Sequence, residues 1–249
     1  MSALISPSAV ARSAWQPESV LRIGGITPFT ATDYPGKLAA VVFVQGCPWR
    51  CGYCHNPHLQ TRTGLDGMAW RQVVARLQRR VGLIDAVVFS GGEPTIDPGL
   101  VDAMREVRAM GFGVGLHTAG AYPRRLAEVL PLVDWVGMDI KAGFDTYDTI
   151  TRIVGSARHA LASAEQVLAS GVAHEFRTTV HPSLHTQADI LALAQSLSAM
   201  GVRRYALQRF RATGCADAGL TGVTSAAFIG PELLTRVAAL FETFSYRCD

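Results

Sequence analysis

Short apolar, β-branched segments alternate along this chain with longer amphipathic segments, and this alternation restricts the fold more than any other feature. Apolar runs of strand length cover Ala39 to Gln45, Ala86 to Ser90, Gly113 to His117, Trp135 to Ile140, Glu175 to His181 and Arg204 to Arg209. Continuous apolar strands that are joined by helices are typical of a parallel sheet with right-handed crossovers. We therefore predict an α/β fold, built either as a barrel or as a doubly wound sheet.

Segments with helical periodicity lie between and after these strands. They cover Met68 to Val81, Pro98 to Met110, Pro123 to Leu130, Ser156 to Ser170, Thr186 to Met200 and Pro231 to Phe244. In the last segment, apolar residues recur at spacings of one, three and four, as on a helix that faces a core. No repeat or low-complexity tract suggests a linker, so we expect a flexible N-terminal tail over residues 1–20 and a single domain over residues 21–249.

The composition narrows the classes of function. Hydrophobic residues make up 49% of the chain and charged residues 17%, which is ordinary for a soluble enzyme. The net charge is +3 and the basic residues are scattered, so we expect no nucleic-acid partner. No uncharged apolar run reaches the roughly 18 residues of a membrane span. Clustered cysteines and the lack of a secretory pattern lead us to expect a cytoplasmic protein.

Three cysteines, Cys47, Cys51 and Cys54, follow the first predicted strand with the spacing C-x3-C-x2-C. Three thiolates can converge on one soft metal centre only if the chain turns tightly, and neighbouring glycine and proline residues allow such turns. Because a fourth ligand is missing, the loop indicates an open, reactive centre. The alternative is a structural zinc site that uses a histidine such as His55 or His58.

Polar or glycine residues also follow the other predicted strands, and functional residues collect at the carboxyl ends of parallel strands. After the second strand, Gly91 and Gly92 permit close approach of the backbone to a ligand, and Glu93 can accept hydrogen bonds from a cation. A tight strand-to-helix turn is the simpler interpretation of these glycines.

Charged residues lie at two further strand ends. Asp139 and Lys141 point the same way from the fourth strand, either toward a ligand or toward each other. Arg177 is a lone guanidinium in an apolar strand and therefore needs an anion or other hydrogen-bond acceptors.

The cysteine spacing together with Gly91-Gly92-Glu93-Pro94 resembles the radical S-adenosylmethionine (SAM) enzymes. Within them the chain is most similar to the glycyl-radical-enzyme activating proteins, in particular the anaerobic ribonucleoside-triphosphate reductase activating type. The motifs that narrow the resemblance are Thr32 to Lys37, Gln45 to Cys47, Tyr53 to Pro57, Val88 to Pro94, Met138 to Lys141 and Glu175 to Val180.

This resemblance implies a partial (β/α)6 barrel of parallel strands with one [4Fe-4S] cluster on Cys47, Cys51 and Cys54. It implies that SAM chelates the open iron and is cleaved by one electron to methionine and a 5'-deoxyadenosyl radical. The radical would remove a hydrogen from a glycine of a partner, a glycyl radical enzyme for which anaerobic ribonucleotide reductase is favoured. The electron would come from a donor such as flavodoxin or ferredoxin, and no catalytic side chain separate from the cluster and SAM is implied.

The resemblance also implies a cofactor-binding set. Tyr53 is expected near the adenine, Gly91 to Glu93 at the methionine amino group, and Arg211, after the sixth strand, near the nucleoside. Asp139, Lys141 and Arg177 are expected to bind the ribose and carboxylate end of SAM. Pro94 and Thr118 are also expected among the cofactor-binding residues. Relatives often have Asn where this chain has Ala119, so the chain lacks an amide side chain at that point.

Two alternatives stay open. One is a radical SAM enzyme that acts on a small molecule, similar to 7-carboxy-7-deazaguanine synthase, which would need a closed substrate pocket instead of a face open to a peptide loop. The other is a zinc-binding interaction protein. The absence of a cysteine-rich insertion between Cys54 and Met68 leads us to expect a single cluster.

Overall fold

A computed structural model describes residues 21–62, 67–224 and 227–248, and its centre is one eight-stranded sheet. The strands lie side by side in chain order: β1 Ile23–Thr30, β2 Ala39–Val44, β3 Ala86–Gly91, β4 Gly113–Thr118, β5 Trp135–Asp139, β6 Ala173–Val180, β7 Arg204–Arg209 and β8 Thr243–Arg247. β1 is antiparallel to β2, and each later neighbouring pair is parallel. The predicted tail, residues 1–20, lies outside the described residues.

Helices connect the parallel strands and cover one face of the sheet. They are α1 Trp70–Gln78, α2 Leu100–Ala109, α3 Pro123–Val129, α4 Tyr147–Thr151, α5 Ser156–Ser170, α6 Gln187–Ala199, α7 Ala218–Thr221 and α8 Pro231–Ala238. Alternate residues of each strand, such as Val42, Phe89, Leu116 and Met138, point toward these helices and are fully buried in the main core. None of the helices in the described ranges has the length and apolar character needed to cross a membrane.

The other set of alternate residues forms the inner face of the sheet, opposite the main helical layer. There the loop between β1 and β2 folds back, and the Tyr34 ring stacks on Trp135 with 5.1 Å between centroids. Gly115 leaves space for the Tyr34 ring, and Gly137 leaves space for the Arg177 guanidinium. A Cβ at Gly115 would come within 3.2 Å of Tyr34, and one at Gly137 within 2.6 Å of the Arg177 guanidinium. The inner face is therefore packed by the β1–β2 loop and by Arg177.

The predicted fold class is confirmed: the sheet is mostly parallel and open, with β1 and β8 at its edges. The six predicted strands correspond to β2–β7, but two edge strands were not predicted. β1 has two glycines, a proline and mostly half-exposed residues, so it lacks an apolar run.

The predicted helix from Pro231 to Phe244 is wrong at its end. Helix α8 stops at Ala238, and Thr243 begins β8, where Phe244 packs near Tyr205. The open edge of β7 supplies backbone partners that helical periodicity does not reveal, and pairing there overrides the local pattern.

Leu116 tests the sheet–helix core, because its side chain is fully buried on β4. Leu116→Ala should lower the free energy of unfolding by about 2–5 kcal/mol, since it removes buried methyl groups and leaves a cavity. The matched control is Leu83→Ala at a residue that is 64% exposed, which should change it by less than about 0.5 kcal/mol. Urea titration of both variants measures the difference, and equal costs would contradict the assigned core.

Candidate functional site

The cysteine loop follows β2 and is held by backbone hydrogen bonds at both ends. The Gly46 amide donates to the Leu59 carbonyl at 2.7 Å, and the Cys47 amide donates to Gln60 at 3.1 Å. At the other end, the Cys54 amide donates to the Cys51 carbonyl at 3.2 Å. The three thiols are half-buried and not in disulfides, so all are available as ligands.

The environment of the thiols disfavours free thiolates. Burial, reinforced by the nearby Glu93, raises the pKa of Cys47 to about 12. Burial also raises the pKa of Cys51, although the positive charge of Lys141 opposes the rise. A metal centre reverses this preference, because a bound cation stabilises the deprotonated thiol.

The donor set fits an iron–sulfur cluster better than a single zinc ion. In the described ranges, no three His, Cys, Asp or Glu side chains converge where one ion could bind all of them. The thiolates of a [4Fe-4S] cluster instead each bind a different iron. The Nε2 of His55 is engaged at 2.9 Å from the Arg211 carbonyl oxygen and its ring stacks on Phe210, so this nitrogen is not free for zinc.

Gly91 and Gly92 bring the turn after β3 against the backbone of the cysteine loop. Gly91 has φ of +119°, and a Cβ there would lie 2.4 Å from the Val44 carbonyl oxygen. A Cβ on Gly92 would lie 2.3 Å from the Gly46 carbonyl oxygen. The Gly92 amide donates to Val44 at 3.0 Å and the Glu93 amide to Gly46 at 2.7 Å. Both glycines are therefore required by close backbone packing at this edge of the site.

The Glu93 carboxylate is fully buried and joins β3 to the end of β4. It accepts hydrogen bonds from the Thr95 hydroxyl at 2.6 Å, the Thr118 hydroxyl at 2.8 Å and the Ala119 amide at 2.9 Å. Pro94 is buried at the start of the short 3-10 helix that follows. Because the contact at residue 119 uses the backbone amide, alanine preserves it.

Asp139 and Lys141 form an ion pair at the end of β5, with Nζ 2.8 Å from Oδ2. Desolvation raises the pKa of Asp139, but Lys141 and Arg177 outweigh it and lower the pKa below its ordinary value. Lys141 also lies 5.8 Å from the centroid of the Tyr53 ring, which brings this pair to the cysteine loop. The Tyr53 hydroxyl is buried and has no hydrogen-bond partner among the described residues. Such an orphaned hydroxyl is suited to a polar ligand atom.

Arg177 lies on the inner face of β6 and is almost fully buried. Its Nε donates to Glu175 at 2.9 Å, and its guanidinium carbon lies 4.9 Å from the Trp135 ring centroid. Its Nη2 is buried next to Gly137 without a partner among the described residues. The guanidinium thus keeps a donor for an additional acceptor.

His117 joins the inner face to the β1–β2 loop. Its Nε2 lies 2.8 Å from the Asp33 carbonyl oxygen, and its Nδ1 lies 3.4 Å from the Ser90 hydroxyl. The Asp33 carbonyl, the shorter contact, requires a proton on Nε2, so the neutral ring donates there and accepts at Nδ1. Arg177 Nη1, 3.3 Å from the same Nε2, is then a donor facing a donor and not a hydrogen-bond partner. Burial and then the positive Arg177 lower the pKa of His117 to about 4. The ring is therefore a neutral connector near neutral pH.

The site contains residues that sequence reasoning did not assign to it: Trp135, Gly137, Glu175 and Arg247. Period-two alternation from Arg177 could have placed Glu175 on the same face. No local signal indicates Arg247, because its segment was interpreted as following a helix. Its Nη2 donates to both Glu175 oxygens at 2.9 Å. Arg211 is exposed on the loop after β7 and lines a cavity with Arg177.

Gly92→Ala tests the contact between the turn and the cysteine loop. The added methyl group would push against the Gly46 carbonyl, so we expect loss of most of the iron and sulfide bound after anaerobic reconstitution. Gly25→Ala is the matched control, because a Cβ at Gly25 meets nothing within 4 Å. Metal and sulfide content, with circular dichroism to verify folding, measures the effect. Normal loading of Gly92→Ala would contradict the proposed packing.

The low pKa of His117 predicts a pH dependence of stability. Between the ordinary value of 6.5 and about 4, the unfolded chain binds a proton that the folded chain does not. The free energy of unfolding of the metal-free protein should therefore decrease as the pH is lowered through this window. This group contributes at most about 1.4 kcal/mol per pH unit. His117→Asn should flatten the slope in urea titrations, whereas His159→Asn, at an exposed residue, should leave it unchanged. Equal slopes in all three proteins would refute the assignment.

The chain is similar to a known family and to named proteins. Residues 41–197 match the model of the Radical SAM superfamily. A protein of Methanocaldococcus jannaschii named as a glycyl-radical enzyme activating enzyme is 29% identical over 195 residues, which cover 76% of this chain and 79% of that protein. The pyruvate formate-lyase-activating enzyme of Clostridium pasteurianum is 35% identical over 136 residues, 52% of this chain and 57% of that protein.

Solved structures share the fold at low sequence identity. QueE from Escherichia coli matches with a TM-score of 0.55 and 18% identity, over 92% of this chain and 95% of QueE. SuiB from Streptococcus suis, bound to SAM, matches with a TM-score of 0.61 and 12% identity, over 82% of this chain and 48% of SuiB. The family match covers more than half of the chain and includes the cysteine loop. The chain therefore belongs to the Radical SAM superfamily, whose enzymes use a [4Fe-4S] cluster and SAM as cofactors.

Proposed function

We propose that this enzyme installs a glycyl radical on a partner enzyme, with anaerobic ribonucleoside-triphosphate reductase as the favoured partner. The observation that carries the proposal is the similarity to the M. jannaschii activating enzyme, which extends over 76% of this chain. The motifs from Thr32 to Lys37 and from Met138 to Lys141 support the narrower choice of partner. A one-electron donor such as flavodoxin or ferredoxin would supply the electron, in the cytoplasm.

In this proposal Cys47, Cys51 and Cys54 hold one cluster. When bound, the cluster and SAM would supply a 5'-deoxyadenosyl radical for removal of a hydrogen atom from the partner's glycine. The protein's own residues place the cofactor and exclude water. The chain from residue 21 onward acts as one domain.

The side chains have separate tasks around SAM. Arg177 offers its unpaired Nη2 to the SAM carboxylate, and the Asp139–Lys141 pair orients the ribose end. Tyr53 lies beside the adenine, where its orphaned hydroxyl gains a polar partner. Gly91–Pro94 and Thr118 hold the amino-group end through backbone groups, because the Glu93 side chain is already engaged by protein donors. Arg211 contacts the nucleoside from the rim.

A second candidate is a radical SAM enzyme that acts on a small molecule. A cavity of about 450 Å³ on the inner face is of a size that could hold such a substrate. The likeness to QueE concerns the fold alone, so it does not favour one substrate over another. The two functions differ in the molecule that loses a hydrogen atom, either a glycine of a partner enzyme or a small molecule. This difference can be measured directly.

Electron paramagnetic resonance tests the activase. The reconstituted enzyme, reduced in the presence of SAM, is mixed with a candidate anaerobic ribonucleotide reductase. We expect a glycyl radical doublet that is absent when SAM is omitted. The control partner carries alanine in place of its glycine. Formation of 5'-deoxyadenosine without a doublet on any glycyl radical enzyme would favour the small-molecule alternative, and no 5'-deoxyadenosine at all would refute radical SAM activity.

Two variants separate cluster binding from SAM binding. Cys51→Ala should abolish cluster assembly, because it removes one of the three thiolate ligands. Asp139→Ala should retain iron and sulfide but weaken SAM binding, since it leaves Lys141 without its 2.8 Å partner. Iron content and equilibrium binding of SAM measure the two effects. Loss of the cluster in both variants would show that Asp139 has been assigned to the wrong role.

A further inference from the structure

A strongly basic cavity lies on the inner face of the sheet beside Arg177. Its volume is about 450 Å³. The lining residues include Asp33, Arg177, Arg209, Arg211 and Arg247. Four of them are arginines, whereas Asp33 is the only carboxylate among the lining residues that the structure describes. Clustered positive charge in a concave site attracts anions.

Strand register explains how the cavity is formed. Thr179 pairs with Gln208 across β6 and β7, and Gln208 pairs with Arg247 across β7 and β8. These three residues therefore form one row on the inner face, one step beyond the row of Asp139 and Arg177. Strand β8 thus extends the cavity away from the proposed SAM-binding residues, and the guanidinium of Arg247 lies at that end.

The positive charge exceeds what SAM can neutralise. Glu175 lies between two of the arginines and accepts hydrogen bonds from Arg177 and Arg247. With Asp33, two carboxylates of the described residues lie beside the four guanidinium groups, while the nearby Asp139 is paired with Lys141. SAM has a single carboxylate, together with an ammonium and a sulfonium, so its binding makes the cavity more positive. The site is therefore suited to a second anionic group.

We propose that this cavity binds a carboxylate of the substrate and that Arg247 determines selectivity for it. The inference rests on the proposed function: the substrate is then a polypeptide segment, whose unmodified anionic groups are carboxylates of acidic side chains or of the C-terminus. The carboxylate fixes the segment while its glycine lies toward SAM. Arginine suits this task because its planar fork matches carboxylate geometry.

Arg247 is the best placed of the four arginines. Glu175 holds its Nη2, while its side chain stays 34% exposed to the cavity. Arg177 is almost completely buried, and Arg209 donates to the Cys248 carbonyl. Arg211 is exposed on a loop and can add a second contact at the rim. A guanidinium that is already oriented loses less conformational freedom on binding.

Calorimetric titration of the reconstituted, SAM-loaded and unreduced enzyme tests the proposal. The probes are glutarate, its neutral analogue glutaramide and inorganic phosphate. We expect saturable binding of glutarate, no binding of glutaramide, and at least a tenfold weaker Kd for glutarate in Arg247→Gln. Arg211→Gln, at an exposed residue, should weaken it to a smaller extent. Arg105→Gln, on the exposed face of α2, is the matched control and should leave the Kd unchanged.

Three results would overturn the proposal: no saturable glutarate binding, equal binding to Arg247→Gln and wild type, or a preference for phosphate over glutarate. Two glycine-containing peptides that differ only by Glu or Gln identify the source of the carboxylate. Displacement of glutarate by the Glu peptide alone supports a polypeptide substrate, whereas displacement by neither peptide refutes it and leaves a small acid.

Failure of the carboxylate subsite and failure of the proposed function give different results. A glycyl doublet without glutarate binding would refute the carboxylate subsite and support the activase function. Glutarate binding without a glycyl doublet would refute the activase function and support the subsite.

Discussion

The buried carboxylate of Glu93 is the constraint on which the site depends. It has no exposed surface, so its charge must be met by donors, and the hydroxyls of Thr95 and Thr118 and the amide of Ala119 supply them. Its own amide binds the Gly46 carbonyl at the base of the cysteine loop. One residue therefore fixes the ends of β2, β3 and β4 relative to each other. A cluster bound by the loop would be positioned against the SAM site by the same contacts.

The inner face is organised around a second buried charge, Arg177. Its guanidinium is accommodated because Gly137 has no side chain, and it is stabilised by the Trp135 ring and by Glu175. Glu175 in turn reaches Arg247 on the last strand. Glu175 thereby connects Arg177, a proposed SAM contact, with β8 at the edge of the sheet. Arg247 on β8 is thus held close to the proposed SAM contacts, which fits its proposed role in substrate recognition.

Every boundary of strands β2–β7 could be predicted to within two residues, because each strand is an apolar run buried between helices and the inner face. β1 and β8 could not, since edge strands are only half-buried and take their structure from a neighbour. The site shows the same division. The spacing of Cys47, Cys51 and Cys54 is enough to predict them as ligands. Arg247 belongs to no motif and reaches the cavity only through pairing of β8 with β7.

The sequence by itself determined the alternating α/β architecture, the thiolate loop and the charged strand ends, because periodicity and ligand spacing are local properties of the chain. The tertiary structure alone decided which charges are paired. Glu93 is engaged by protein donors, Lys141 is paired with Asp139, and Glu175 is shared between Arg177 and Arg247. The physical reason is that burial and charge pairing depend on distances between strands far apart in sequence, and these distances exist only once the sheet has formed.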